Sequence, residues 1–412
     1  MSFNLLDVST NFIDFAVELI DIIELNWLGT VVQWIVGLSS IVGVGVILFT
    51  LILKTITMPL DIYSRVKMKK QSLLMKKMRP QMEKLQKQYA NDKNMYSQKV
   101  MELQKQNGIS MFGACLPMIV TLVIFMVVFS AFSTYSQYAN LKTYNEMVTA
   151  YNQSVQTYVI KEGKDGGFLE ETQDISINET AYLVHFDKFT EITGKELSGN
   201  ESDKMAVVRD FVRENARKSA ADFYRANRTN FIWVGNIWYP DSMLNKEVPN
   251  FNDFSRTVSR ATNTSVDASY ELSYNEVSYY LMNEGYPNPD TGKVEGNVFN
   301  GYFVLIVLAI GLMFLQQFIS MRSQKDANEL GTVDGTGAST NKWMMIMMPI
   351  IYGIFSFMYS AAFSLYMITS TLYGLISTVI INKVMDVNFA KQEANGGYQV
   401  KREKKNNRKR LK

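Results

Sequence analysis

The sequence has very few of the residues that carry most enzyme chemistry. Its 412 residues include one cysteine, Cys115, and one histidine, His185. A lone cysteine excludes an internal disulfide and a thiolate metal cluster, and a lone histidine in a polar segment disfavours a zinc site or a histidine-based triad. The sequence also lacks a GxxxxGK[ST] phosphate loop and a GxGxxG motif after a strand. We therefore expect no enzyme activity, no cofactor and no bound metal.

Basic residues are missing from the first 53 positions, where the charged side chains are all acidic: Asp7, Asp14, Glu18, Asp21 and Glu24. This pattern is the reverse of the basic start of a signal peptide and of an arginine-rich transit peptide. Residues 10–26 place apolar side chains at helical spacing, with the acids on other faces. They predict an amphipathic helix that lies on the outer surface of the membrane or packs on an extracellular domain.

Long apolar stretches are abundant, since 47% of the residues are hydrophobic. A bilayer core requires about 20 apolar residues in a helix. The sequence therefore predicts an all-α polytopic membrane protein. Five nearly uncharged stretches have the required length: residues 37–60, 112–136, 300–321, 343–360 and 362–382.

The distribution of lysine and arginine predicts which segments face the cytoplasm. Residues 61–111 carry twelve basic and four acidic side chains, and the C-terminal tail is also basic. Both are predicted to be cytoplasmic, with the acidic N-terminus outside. The predicted order is an extracellular N-terminus with amphipathic helices (1–36), two spans (37–136) joined by a cytoplasmic helical hairpin (61–108), an extracellular inserted domain (137–299), spans three to five (300–384) and a cytoplasmic tail (385–412).

The cytoplasmic hairpin is indicated by apolar residues that recur every three or four positions, at Leu74, Met78 and Met82. The pattern breaks at "ANDKN" and resumes near Val100, as in two antiparallel helices joined by a short turn. Pro80 is expected to kink or restart the first helix.

The extracellular segment predicts a small α-rich domain. Apolar residues from Tyr144 to Tyr158 indicate that the second span continues outward as an amphipathic helix. Further helices are predicted over residues 203–227, with Val207 and Val212 on one side, and over 268–286. The aromatic residues of "FIWVGNIWYP" suit either a belt at the membrane interface or a domain core.

Lys54 is unusual because it lies in an apolar stretch of membrane length. A lysine at the centre of a membrane-spanning helix costs about 2.5–3.5 kcal/mol on insertion scales. Two interpretations are open. Lys54 could extend to water at a cytoplasmic boundary four or five residues away, or the protein could use the charge within the membrane.

The order of motifs resembles the YidC/Oxa/Alb family of membrane protein insertases in its bacterial five-span form. A cation and then Met-Pro-Leu end the first span, and Gly113, Cys115 and Pro117 form a Gly-x-Cys-x-Pro motif at the start of the second. Residues 347–366 run from Met-Met-Pro to Leu-Tyr. The resemblance covers roughly residues 25–136 and 300–385.

The resemblance implies a five-helix bundle around a hydrophilic groove that opens to the cytoplasm and the lipid but is closed on the outside. It implies an insertase and chaperone in the bacterial plasma membrane, which receives nascent membrane proteins and releases their spans into the bilayer. Lys54 matches the cation of the family's groove, and Thr50 matches the hydroxyl residue one helical turn earlier. Gln316 and Gln317 match the polar residues of the third span. Tyr366 matches a residue that lines the exit path.

The sequence departs from the family pattern at several positions. The groove cation is Lys54 where arginine is usual, and Met367 replaces an aromatic residue. The second span lacks the usual Gln-x-Pro. The segment 137–299 is also far longer than the usual loop, which suggests an added function or a partner outside the membrane.

The resemblance also implies partners and leaves other functions open. Besides nascent membrane proteins, the ribosome and the Sec translocon are candidate partners of the hairpin and the basic tail, and anionic lipids are candidate partners of the tail. The alternatives for these two segments are that the hairpin is a solvated spacer and that the tail is disordered and serves only to set the topology. An unknown extracellular partner is expected for residues 137–299. The alternatives are a dedicated assembly factor for an envelope complex, or a transporter or receptor that uses the extracellular domain to bind a ligand. The absence of an inverted repeat disfavours the transporter.

Overall fold

The computed structural model describes residues 2–3, 25, 27–107, 111–161, 166–174, 179–262, 266, 270–282, 286–287, 294–295, 299–323 and 336–394. The helix predicted over residues 10–26 and the tail beyond residue 394 therefore fall outside the described residues. The chain divides into two compact units. Unit 1 comprises Met1–Phe49, Met126–Val307 and Ile354–Tyr366, and unit 2 comprises Thr50–Phe125, Leu308–Gly353 and Met367–Lys412.

Helices dominate the described residues, and several of them extend through both units. The helices are α1 (Trp27–Val36), α2 (Val42–Gln88), α3 (Lys93–Gln106), α4 (Met111–Gln156), α5 (Phe186–Thr193), α6 (Glu201–Asn227), α7 (Phe251–Thr262), α8 (Tyr270–Val277), α9 (Tyr279–Met282), α10 (Val304–Ser323), α11 (Thr336–Met358) and α12 (Ala361–Ala394). The strands are β1 (Ser2–Phe3), β2 (Leu169–Asp174), β3 (Glu179–Val184), β4 (Tyr286–Pro287) and β5 (Val294–Glu295).

Three helices among the described residues are long and apolar enough to cross a membrane, over Val42–Lys67, Val304–Arg322 and Ala361–Asn388. They lie in α2, α10 and α12 and correspond to the first, third and fifth predicted spans. The second predicted span lies within α4 and the fourth within α11, of which Pro349–Met358 is a shorter apolar segment. The five-span topology stays a prediction.

The helical hairpin is present in unit 2, as predicted. The last part of α2 packs on α3, with Met78 and Met82 buried and Leu74, Val100 and Leu103 packed against them. Asp92 caps α3, because its carboxylate accepts a hydrogen bond from the Met95 amide at 3.0 Å. The helix does not restart at Pro80, since α2 continues through Pro59 and Pro80 to Gln88. A kink at Pro80, the other predicted outcome, stays a prediction.

Residues 137–299, which we name the outer domain after their predicted extracellular location, have their core in unit 1. The part of α4 beyond the predicted second span supplies Tyr144, Met147, Val148, Tyr151 and Val155 to that core, as its spacing predicted. Helix α6 contributes a stripe of residues four apart: Val208, Val212, Ala216, Ala220 and Tyr224. The predicted inward position of Val207 is wrong, because this side chain is 41% exposed and its neighbour Val208 is buried.

A small sheet accompanies these helices, so the all-α prediction is incomplete. Strands β2 and β3 pair antiparallel over six residues each, and β1 adds to the other edge of β3, giving the order β1-β3-β2. This strand pair was not predicted, because the six residues of β2, LEETQD, are mostly polar and acidic and do not form a strand pattern.

The loop of residues 231–241 supplies hydrogen-bond acceptors to backbone amides at the starts of α10 and α12, within unit 1. The amides of Ala361 and Ala362, at the start of α12, donate to the carbonyls of Tyr239 and Ile237, each at 2.8 Å. The carboxylate of Asp241, which is fully buried, accepts hydrogen bonds from the amides of Tyr302 (2.8 Å) and Leu305 (2.7 Å) at the start of α10. These amides have no partner within their own helices.

Candidate functional site

A row of polar side chains follows one face of α2 in unit 2. The row consists of Thr50, Lys54, Thr57, Asp61 and Ser64, at intervals of four and three residues. This spacing returns to the same side of a helix every turn. Thr50 is fully buried and Ser64 nearly so, whereas Lys54, Thr57 and Asp61 are half-buried.

The other side of the same helix is apolar and exposed. Leu51, Ile52, Ile56 and Leu60 expose between 39% and 71% of their surface. Exposed aliphatic side chains of this kind suit contact with lipid. The helix therefore separates a polar face from a face fit for lipid.

Lys54 lies at the middle of its candidate span. The apolar segment runs from Val42 to Lys67. It therefore begins and ends several residues later than the predicted span of residues 37–60. Lys54 is thus twelve residues from one end and thirteen from the other, about 18–20 Å along a helix. The same segment contains the charged residues Asp61, Arg65 and Lys67, so its length alone does not locate the membrane boundary. Use of the Lys54 charge within the span and escape of its side chain to water both stay predictions.

The charges near Lys54 belong to the same helix. Asp61 attracts both Lys54 and Arg65. Asp61 is seven residues from Lys54, about 10 Å of helical rise. Among the residues that the structure describes, Lys54 forms no ion pair within 4 Å, so its ammonium group can receive another anion.

Gln316 and Gln317, on α10, are half-buried in unit 2. The amide nitrogen of Gln316 lies against the backbone of α12, 2.8 Å from the position that a Cβ atom on Gly374 would occupy. Glycine at 374 thus allows this close approach. In the described part of the chain, no hydrogen bond joins either glutamine to Lys54.

Tyr366 belongs to unit 1, unlike the other four predicted site residues. It is 5% exposed, and its ring packs on Phe132 and Phe363 at centroid distances of 5.6 and 5.9 Å. Tyr366 is therefore enclosed by other side chains, and its predicted role in lining an exit path stays a prediction.

Sequence reasoning overlooked two groups of polar residues. Thr57, Asp61 and Ser64 continue the row of Thr50 and Lys54, and the regular spacing was the signal that could have found them. On α12, Thr371 and Thr378 are buried on either side of Gly374, and the hydroxyl of Thr378 donates to the Gly374 carbonyl at 2.5 Å. Threonine in an apolar helix gives little signal, because its hydroxyl is satisfied by the helix itself.

The polar row of α2 offers a half-buried cation and hydroxyl groups beside a face fit for lipid. These are groups that a non-covalent binding site for a polar or acidic segment requires. Within the described residues, no group of three or more histidine, cysteine, aspartate or glutamate side chains could hold a metal ion.

Comparison with protein families gives one match that covers most of the chain. The model of a family described as "60Kd inner membrane protein" matches residues 34–161 and 223–389, more than two thirds of the 412 residues. The unmatched stretch in between, residues 162–222, contains β2, β3, α5 and most of α6.

Individual relatives are similar over shorter segments. A protein named "Membrane protein insertase YidC" from Fusobacterium nucleatum is 38% identical over 87 residues, which are 21% of this chain and 40% of that protein. Proteins of the same name from Caldanaerobacter subterraneus and Clostridium tetani are 31% and 34% identical over 113 and 91 residues, or 27% and 22% of this chain and 53% and 40% of theirs. The chain therefore spans about half or less of the length of these relatives. No solved structure gives a significant match.

Proposed function

The chain belongs to the 60Kd inner membrane protein family, the YidC/Oxa/Alb family of membrane protein insertases, and we propose that it inserts membrane proteins into the bilayer. Its relatives are named for that activity. In the proposal, nascent membrane proteins enter a hydrophilic groove that is open to the cytoplasm and the lipid, and leave it sideways as finished spans.

The observation that carries the proposal is the polar row on α2 around Lys54. An unused lysine at the centre of a membrane span is costly. Lys54 lies near the middle of the candidate span Val42–Lys67 and forms no ion pair within 4 Å among the described residues, which supports the proposal. We assign Lys54 as the cation that receives acidic residues of the substrate. Thr50, Gln316 and Gln317 hydrate the groove, and Tyr366 contributes to the wall of the exit path.

The mechanism needs positioning and electrostatics but no covalent step. A hydrated groove that reaches partway across the bilayer shortens the apolar distance that a polar segment must cross. The membrane potential adds about 2.3 kcal/mol per charge per 100 mV, and in bacteria it favours outward movement of an acidic segment. The apolar span of the substrate then partitions into lipid because its side chains gain about 0.3–0.6 kcal/mol each there.

The cytoplasmic hairpin is the proposed contact for the translation machinery. Burial of Met78 and Met82 between its helices leaves Lys77, Lys84 and Lys87 exposed. Exposed lysines along a helix attract the phosphates of RNA and of anionic lipids. Ribosome and Sec translocon contacts are therefore assigned to this surface and to the basic tail.

Rescue of bacteria depleted of their own insertase tests the role of Lys54. Wild type and Lys54→Arg should restore growth because both place a cation in the groove, whereas Lys54→Glu should fail because it repels acidic substrate segments. Lys70→Glu is the matched control, since Lys70 is exposed on α2 outside the polar row. All four proteins must reach equal levels in the membrane.

Two results would count against the proposal. Full rescue by Lys54→Glu would remove the charge-receiving role from Lys54. Failure of the wild-type chain at normal membrane levels would count against general insertase activity and favour a dedicated assembly factor.

A further inference from the structure

A cavity of about 300 Å³ lies within unit 1, between the outer domain and the ends of the apolar helices. Its lining comes from the middle of α4, the loop after Trp238, helix α7 and the turn between α11 and α12. None of the polar residues assigned to the groove lines it. The cavity has the volume of a small ligand site.

One wall of the cavity is aromatic. Within this wall, the centroid of the Phe129 ring lies 4.4 Å from that of Tyr359 and 5.3 Å from that of Phe363. Phe132 and Phe357 complete this wall. Phe129 and Phe132 belong to α4, whereas Phe357, Tyr359 and Phe363 lie at the end of α11, in the turn and at the start of α12. The candidate span of α12 begins at Ala361. The aromatic wall therefore lies at the level where the hydrocarbon of a bilayer would begin.

The opposite wall is polar and carries one charge of each sign. Asp253 and Arg256, on α7, line it together with Asn140 and Asn245. The nearest atoms of the two charged groups, Arg256 Nη1 and Asp253 Oδ1, are 3.7 Å apart, and the arginine side chain is 73% exposed. Such a long, exposed ion pair contributes little to the stability of the fold, so Asp253 and Arg256 can each contact a ligand instead of one another.

The arrangement of these walls selects one class of ligand. An aromatic wall at the hydrocarbon level suits an acyl chain, a guanidinium group suits a phosphate, and a carboxylate three residues away suits an ammonium group. A soluble metabolite would not need the apolar wall. A purely anionic lipid would leave Asp253 facing negative charge.

We propose that this cavity binds a zwitterionic aminophospholipid of the outer leaflet, such as phosphatidylethanolamine. Its phosphate contacts Arg256, its ammonium contacts Asp253, and the first part of one acyl chain lies along Phe129 and Phe363. The rest of the lipid stays in the bilayer, because the cavity is smaller than a whole phospholipid. The proposal rests on the membrane topology that accompanies the proposed function, in which the charge distribution predicts residues 137–299 to be extracellular.

Trp238 lines the cavity and allows a direct binding measurement. The test uses the full chain in detergent with the other four tryptophans, Trp27, Trp34, Trp233 and Trp343, replaced by phenylalanine. Phosphatidylethanolamine with a dibrominated acyl chain is titrated against Trp238 fluorescence. We expect saturable quenching, and weaker binding of brominated phosphatidylglycerol.

Variants of the polar wall assign the two head-group contacts. Arg256→Gln should weaken binding of both lipids about tenfold, because a charge-assisted hydrogen bond is lost. Asp253→Asn should abolish the preference for phosphatidylethanolamine. Arg209→Gln is the matched control, since Arg209 pairs equally loosely with Asp210 at 3.9 Å but lies outside the cavity lining.

Quenching that does not saturate, equal or tighter binding of phosphatidylglycerol, or an unchanged curve in Arg256→Gln would each overturn the proposal. The unmodified chain provides a second readout: phosphatidylethanolamine should raise its melting temperature, and Arg256→Gln should reduce that rise. A rise that Arg256→Gln leaves intact would also count against the site. Because both measurements use purified protein, their failure is distinguishable from a failure of insertase activity in cells.

Discussion

Glu276 shows how one buried charge is held inside the outer domain. Its carboxylate receives hydrogen bonds from Arg213 at 2.6 Å and from Arg217 at 2.7 Å, and the Tyr151 hydroxyl donates to it at 3.3 Å. Burial by itself raises the pKa of the Glu276 carboxyl, but the hydrogen bonds from the two arginines outweigh burial, and the pKa falls below its ordinary value. The cluster joins α4, α6 and α8.

Glu276→Gln should destabilise the protein by about 3 kcal/mol at neutral pH, because it leaves two half-buried guanidinium groups without a counter-charge. The depressed pKa fixes the pH dependence. The cluster contributes its full stability above the unfolded-state pKa, about 4.3, and loses it as the pH falls through the lower folded-state pKa. The melting temperatures of wild type and Glu276→Gln should therefore converge in acid.

Glu271→Gln is the control for this prediction. Glu271 lies on the same helix as Glu276 but is exposed, so its replacement should leave the melting temperature unchanged at every pH. A Glu276→Gln variant that melts with the wild type at pH 7 would show that the cluster does not stabilise the fold.

At the scale of whole elements, periodicity predicted the existence of helices better than their orientation. The hairpin and the outward extension of α4 were found because large apolar side chains recur on one face over several turns. On α6 the predicted face was shifted, because much of the buried stripe is alanine. Ala216 and Ala220 are fully buried, but their small side chains carry a weak hydrophobic signal, so Val207 was preferred to Val208.

Other elements could not be predicted from local sequence because tertiary contacts determine them. Strands β2 and β3 stabilise each other by antiparallel pairing, although neither has a strong strand pattern. Likewise, Asp241 gave no local signal as a helix cap, since it lies more than 60 residues before the amides of Tyr302 and Leu305 that it binds. Of the predicted site, Lys54 could be found because a charge interrupts an apolar stretch, and Thr50 was proposed through the family resemblance. The approach of Gln316 to Gly374 depends on how α10 packs on α12 and could not be predicted from either.

The remote cap of α10 supports a prediction about this element. Asp241→Ala should cost about 2 kcal/mol, because it removes the acceptor of two amides at the start of a candidate span. Asp241→Asn should have a smaller effect, since it keeps one oxygen acceptor. Thermal unfolding of the solubilised proteins measures both changes.

Asp210→Ala serves as the comparison, because the Asp210 side chain is 71% exposed on α6 and should melt like wild type. Should Asp241→Ala also melt like wild type, the start of α10 would not depend on this cap.

At the scale of the whole molecule, the stretch that the family model does not match is shorter than the predicted insertion of residues 137–299. The family match resumes at residue 223 and covers the rest of the outer domain, which leaves residues 162–222 unmatched. That stretch is nevertheless built into unit 1, because Val208, Val212 and Ala216 belong to the same core as Tyr144 and Tyr151 of the matched helix α4. The residues that the family model matches and those that it does not match therefore share one hydrophobic core.

The predicted membrane topology gives the last prediction. The charge distribution predicts a cytoplasmic hairpin and an extracellular location for residues 137–299. Ser97 on α3 and Ser202 on α6 are both exposed and belong to different units. In a Cys115→Ser background, a membrane-impermeant maleimide should label Ser202→Cys in intact cells. It should label Ser97→Cys only after the membrane is permeabilised, because the bilayer shields the cytoplasmic side. Labelling of both positions in intact cells, or of neither, would contradict the opposite-side assignment on which the groove, the hairpin contacts and the lipid site depend.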